Sequence, residues 1–143
     1  MKFLSVSGVA FILSLSGSVM PMAGNSDSQY LPVPDPAYSF SFTCGGQRTY
    51  TKDTLDRYVD KALGRMNSGG TVYTTQAFQF TRPGPYYITY IHPDRDVYRT
   101  QFNREEHVIF DREGFIMGGM TYEAVNSVPK YVACRFSSST RFM

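Results

Sequence analysis

Tryptophan is absent from this 143-residue sequence, and cysteine and histidine occur only twice each. Aromatic chemistry therefore rests on eleven tyrosines and eleven phenylalanines. Cys44 and Cys134 have neither the partner ligands nor the short spacing of a metal or redox site, so no metal or cofactor is expected. Charge of one sign is also scarce: the formal net charge is +2, too small a field to draw in polyanions, so any nucleic-acid binding must come from local arrangement. No apolar run is long enough to cross a bilayer, which takes about 20 residues.

The apolar stretch that is present, residues 3–15, follows Lys2 and leads into small residues and Pro21, the pattern of a secretory signal peptide. Cleavage is expected between Ser18 and Gly24. Loss of Lys2 takes one unit off the net charge, and the remaining chain of about 119 residues suffices for one core rather than two. Export places the two cysteines in an oxidising compartment, which predicts a Cys44–Cys134 disulfide contributing about 4 to 5 kcal/mol in the chain-entropy account. The expected plan is a signal peptide at 1–24, an extended lead-in at 25–36 interrupted by Pro32, Pro34 and Pro36, a domain at 37–136 and a loose serine-rich tail at 137–143.

Within the domain, Tyr38, Phe40 and Phe42 alternate with serines as in a half-buried strand, and a second short strand is expected around residues 48–50. From 52 to 66, Leu55, Tyr58, Val59, Ala62, Leu63 and Met66 recur at steps of three and four, which predicts a helix. Its opposite face carries acids toward the start and bases toward the end, and reads as solvated surface. Asn67-Ser68-Gly69-Gly70 stops it. Strands are then expected at 72–80, 85–91, 97–99, 107–111, 115–122 and 131–136. One helix followed by several short strands predicts an α+β domain with the helix on an antiparallel sheet.

Several short segments occur in an order that resembles the guanyl-specific fungal ribonucleases, small secreted enzymes with one helix over a curved antiparallel sheet. Phe42-Thr43-Cys44-Gly45 is similar to that family's opening and Tyr131-Val132-Ala133-Cys134 to its close. Phe78-Gln79-Phe80, Pro85-Tyr86-Tyr87, Asp96-Val97-Tyr98, Val108-Ile109-Phe110 and Gly118-Gly119-Met120-Thr121 lie between them in family order. The departures concern chemistry. The family's general-base glutamate corresponds to Ile88, its phosphate-binding arginine to His107 and its general-acid histidine to Tyr122, while its Tyr-Pro-His element has no counterpart. Ile88 can neither take nor give a proton, and a phenol, which titrates near pH ~10, is a poor acid. The resemblance thus implies a scaffold without its catalytic residues.

Period-two alternation places Tyr86 and Tyr90 on one face with Ile88, and Glu105 and Ile109 on one face with His107. Tyr86, Tyr90, His107 and Tyr122 then have two readings: the tyrosines pack against neighbouring side chains, as strand aromatics commonly do, or the four form an aromatic floor on which bases stack, with Arg99 and Arg104 in reach of a phosphate. A rewired ribonuclease using His107 with Glu105 is the alternative; a carboxylate and an imidazole jointly flanking a phosphate-sized hollow would favour it. His92, before Pro93 in a turn, reads as a surface residue.

A secreted chain of this kind, opened by Phe42-Thr43-Cys44, also resembles the ribonuclease-like effectors of powdery mildew fungi. That resemblance implies virulence in a plant host by binding host proteins or RNA, in the host cytoplasm or nucleus. It also implies exposure to host immune receptors. Loops around 67–77, 92–106 and 123–130 are expected to carry specificity.

Overall fold

Spacing of apolar residues by three and four builds the helix α1 (Lys52–Asn67), which buries Leu55, Val59 and Ala62 and half-buries Tyr58, Leu63 and Met66 beside them. Thr51 caps it from extended backbone, its hydroxyl accepting from the Thr54 amide at 3.5 Å. Asp53 in the first turn and Arg65 in the last complement the helix dipole. Past the C-terminus Gly69 adopts φ +84° and the Gly70 amide donates to the Arg65 carbonyl at 2.7 Å, so the chain leaves the helix where the glycines allow it.

In this computed structural model residues 29–45, 48–91 and 104–143 are described, and Pro32–Met143 form a compact unit. The signal peptide expected at 1–24, the start of the expected lead-in, the strand expected at 97–99 and positions 92–103 of the loop expected at 92–106 lie outside the described residues. β1 (Ser41–Thr43) pairs antiparallel with β2 (Thr49–Thr51) and, on its other side, with β8 (Arg135–Phe136), giving a three-stranded sheet in the order β2-β1-β8. A second, five-stranded antiparallel sheet is formed by β3 (Tyr73–Thr75), β4 (Tyr86–Tyr90), β5 (Arg104–Phe110), β6 (Ile116–Val125) and β7 (Val128–Ala133), in chain order. The expected architecture is therefore present: one helix on a curved antiparallel sheet, with a single disulfide between Cys44 and Cys134.

Alternation divides the sheet. Tyr87, Val108 and Phe110 join Phe42, Leu55 and Val59 in the core under the helix. Full burial of each such side chain is worth about 1.5 to 3 kcal/mol. Ile88, Tyr90, His107 and Ile109 alternate onto the other face, where Ile88 lies opposite Ile109 and Tyr90 opposite His107. At Ile109/Phe110 the register shifts, because Phe110 pairs with Ile116 while Ile109 pairs with Gly118. The extra residue, Met117, bends the strand and is fully buried.

Three expectations about segments need correction. The strand expected over 72–80 is only β3, which ends at Thr75, where the Ala77 amide donates to the Thr75 hydroxyl at 3.1 Å and the chain turns. The loop expected at 123–130 is the tip of the β6–β7 hairpin, with Asn126 and Ser127 both at positive φ (52° and 66°) in the tight turn, and residues 104–106 open β5 instead of ending a loop. The tail is not loose: the Asp35 amide donates to the Arg141 carbonyl at 2.8 Å, the Met143 amide to the Val33 carbonyl at 2.9 Å, and the Phe142 ring packs edge-on against Phe136. Serine-rich composition hid an anchor supplied by backbone and by one aromatic ring.

Candidate ligand-binding site

β3 pairs with β4 only as far as Ile88, so the far end of β4 is left bare toward the second half of the helix. At this place a hollow of about 610 Å³ opens, lined from the helix by Tyr58, Lys61 and Arg65, from β3 and its approach by Thr71, Val72 and Tyr73, and from β4 and β5 by Ile88, Thr89, Tyr90, Glu105 and His107. Steps of three and four along α1 bring Tyr58, Lys61 and Arg65 to one side of the helix. Arg65 Nη2 donates to Thr89 Oγ1 at 3.3 Å, tying the helix to the strand edge.

On the sheet side the Tyr90 ring and the His107 imidazole lie 5.6 Å apart, centroid to centroid. His107 Nε2 is 3.9 Å from Glu105 Oε1, while its Nδ1 is buried with no hydrogen-bond partner among the described residues. Burial pushes the imidazole below its ordinary value, and the Glu105 carboxylate opposes that shift. The ring is therefore held in a setting that disfavours its charged form.

Of the residues expected from sequence, the structure brings Tyr90 and His107 together and adds Glu105 beside them. Tyr86 is withdrawn: its ring packs edge-on against Phe80 at 5.1 Å, its hydroxyl donates to the Arg82 carbonyl at 2.7 Å, and only 7% of it is exposed. The segment 80–84 folds over that end of β4, so no four-membered aromatic floor forms. Tyr122 lies opposite Glu105 in the register, where its ring packs at a tilt against Tyr131, centroids 5.3 Å apart, and does not line the hollow. The backbone of Arg104 opens β5, with its side chain outside the described set; Arg99 and His92 lie outside it altogether.

Sequence reading missed Tyr58, Lys61 and Arg65, because on a helical wheel they sit at the edge between core stripe and solvated face. The bases collected at the end of the helix were the available signal. Among the described residues no three His, Cys, Asp or Glu side chains converge as a metal site, and no helix is long and apolar enough to cross a membrane.

The carboxylate and the imidazole do flank a hollow, one larger than a phosphate. In-line displacement at phosphorus, however, sets the attacking and leaving oxygens on opposite sides. Glu105 and His107 are two residues apart on one strand and serve the same side. Across from them the helix offers Tyr58, Lys61 and Arg65, with no carboxylate or imidazole among them. The arrangement suits binding an anion with an aromatic part better than moving two protons.

No protein-family model matches the chain, and no curated protein matches it. What defines it is its own geometry: an α+β domain whose helix and sheet edge enclose a hollow of cations and tyrosines.

Proposed function

We propose that the protein is a secreted fungal virulence effector, a ribonuclease-like scaffold without ribonuclease chemistry, that acts in a plant host by binding. The observation that carries this reading is the occupancy of one sheet face. The three positions at which the resemblance calls for a base, a phosphate-binding arginine and an acid hold Ile88, His107 and Tyr122. Register sets Ile88 beside the Tyr90–His107 pair, and Tyr122 one step diagonal from His107. Host proteins, immune receptors among them, and RNA are the partner classes the resemblance implies.

A second reading is favoured by one observation, the 3.9 Å approach of Glu105 to His107 on the wall of the hollow. In it the protein is a secreted endoribonuclease with a rewired centre. Incubation of the purified protein with single-stranded RNA separates the two. The effector reading expects no turnover above background and reduced colonisation when the transcript is silenced in the pathogen. Turnover that vanishes in His107→Ala would establish the enzyme instead.

A further inference from the structure

The two sides of the hollow differ in chemistry. On the helix side, Lys61 and Arg65 are one turn apart and so project together. Among the described residues neither is neutralised by a carboxylate: Lys61 has no ion pair, and Arg65 reaches the neutral Thr89 hydroxyl at 3.3 Å. Around them stand three tyrosines. Tyr73 at the mouth is 73% exposed, and Tyr90 lies against His107.

We propose that this hollow binds a nucleoside monophosphate, its phosphate held by Lys61 and Arg65 and its base stacked among Tyr58, Tyr73 and Tyr90. A guanidinium offers a fork of donors and an ammonium a compact charge, and two such groups one turn apart match a single phosphate. Aromatic faces take any base, since every base has a π-face. The cavity, about 610 Å³, falls within the 300 to 1,000 Å³ of sites that enclose small organic ligands. Glu105 refines the choice. Its carboxylate accepts from an exocyclic amino group such as that of cytosine, and it repels further phosphates, which selects a monophosphate over a diphosphate. A free nucleotide and the phosphorylated end of an RNA strand share this chemistry. The proposal deepens the binding reading above and rests on it for its biological sense.

Calorimetric titration of the purified protein at low salt tests it, with CMP, cytidine, inorganic phosphate, CDP, phosphotyrosine and short RNAs with and without a terminal phosphate as probes. CMP is expected to bind one to one, more tightly than cytidine or inorganic phosphate, with CDP no tighter. Lys61→Glu with Arg65→Glu should weaken CMP at least tenfold, whereas Arg57→Glu, outside the hollow, should leave it unchanged. Both substituted side chains are at the surface; Arg65→Glu gives up the bond to Thr89 and opposes the helix dipole, so a modestly lower urea midpoint with a single cooperative transition certifies the fold, and Lys61→Ala alone supplies a milder variant with a smaller loss. Competition by RNA bearing a terminal phosphate, and not by RNA lacking one, assigns the site to strand ends; competition by neither assigns it to free nucleotides. The proposal is overturned by absence of CMP binding at millimolar concentration, by affinity indifferent to the double variant, by tighter binding of phosphotyrosine than CMP, or by RNA that competes regardless of its ends. RNA turnover with CMP binding intact would instead remove the effector reading and spare the site.

Discussion

The His107 side chain is 13% exposed, and burial pushes its imidazole below the ordinary value of 6.5 while Glu105, 3.9 Å away, pulls it back. Between those two values the unfolded chain binds more protons than the folded one, so stability rises with pH there. The contribution is complete above 6.5 and declines as the pH drops from 6.5 through the lowered folded-state value. Urea midpoints read by tyrosine fluorescence should therefore diverge between wild type and His107→Gln only on the acid side of 6.5; a gap that is constant across pH would refute the burial effect. Glu105→Gln should move the imidazole titration, followed by NMR, further down, because the opposing carboxylate is gone. Two adjacent glycines make a sharper comparison. A Cβ at Gly119 would lie 2.4 Å from Phe42 Cζ and 3.1 Å from Cys134 Sγ, whereas at Gly118 its nearest neighbour, Phe80, is 3.6 Å away. Phe42 is fully buried between Tyr50 and Phe136 and cannot swing aside. Gly119→Ala should cost about 1 to 3 kcal/mol, and Gly118→Ala much less. Equal urea midpoints for the two variants would show that this packing is looser than those distances imply.

At the scale of elements, the helix is the best test of what packing and termini contribute. Leu55 is fully buried, and Leu55→Ala should cost about 2 to 5 kcal/mol by denaturant unfolding. A methyl group added at Gly69, where φ is +84°, would meet nothing within 4 Å, so Gly69→Ala should cost about 1 to 2 kcal/mol through backbone strain alone. A neutral result there would mean that the helix ends elsewhere. The same element explains how much could be read from sequence. Its apolar stripe, its acid-to-base polarity and its glycine stop are local signals, and the helix came out within a residue of its expected end. Alternation likewise put Ile88 with Tyr90, and Glu105 with His107 and Ile109, while the pairing register that joins the two sets came only with the fold. Strand ends were less legible, because β3 stops at Thr75, whose side-chain hydroxyl takes the Ala77 amide. The hollow was least legible of all, since it depends on β3 beginning only at Tyr73, opposite Ile88, and on the helix standing over the exposed end of β4.

For the whole molecule, two devices hold the chain at its extremities, one covalent and one not. The Cys44–Cys134 bridge ties residues 90 apart in sequence, and its removal by Cys44→Ala with Cys134→Ala should cost about 2 to 5 kcal/mol. Beyond the bridge, the Asp35 amide bonds to Arg141, the Met143 amide to Val33, and the Arg141 guanidinium lies 4.5 Å from the Tyr38 ring centroid. These contacts join the lead-in to the tail independently of the bridge, with Val33 and Pro34 buried beneath them. Each backbone bond is worth about 0.5 to 1.5 kcal/mol net, so deletion of 141–143 should lower global stability modestly and act mainly on its own neighbourhood. Amide hydrogen exchange distinguishes that local effect from a general loosening. In the intact protein the Asp35 and Met143 amides should be protected, though less than Cys134, whose amide donates to Gly119 within the sheet. In the truncated protein Asp35 should exchange at the rate of an open chain while Cys134 stays protected. Unprotected Asp35 in the intact protein would restore the loose tail expected from its serines, and loss of protection at Cys134 on truncation would show that the strap supports the sheet itself.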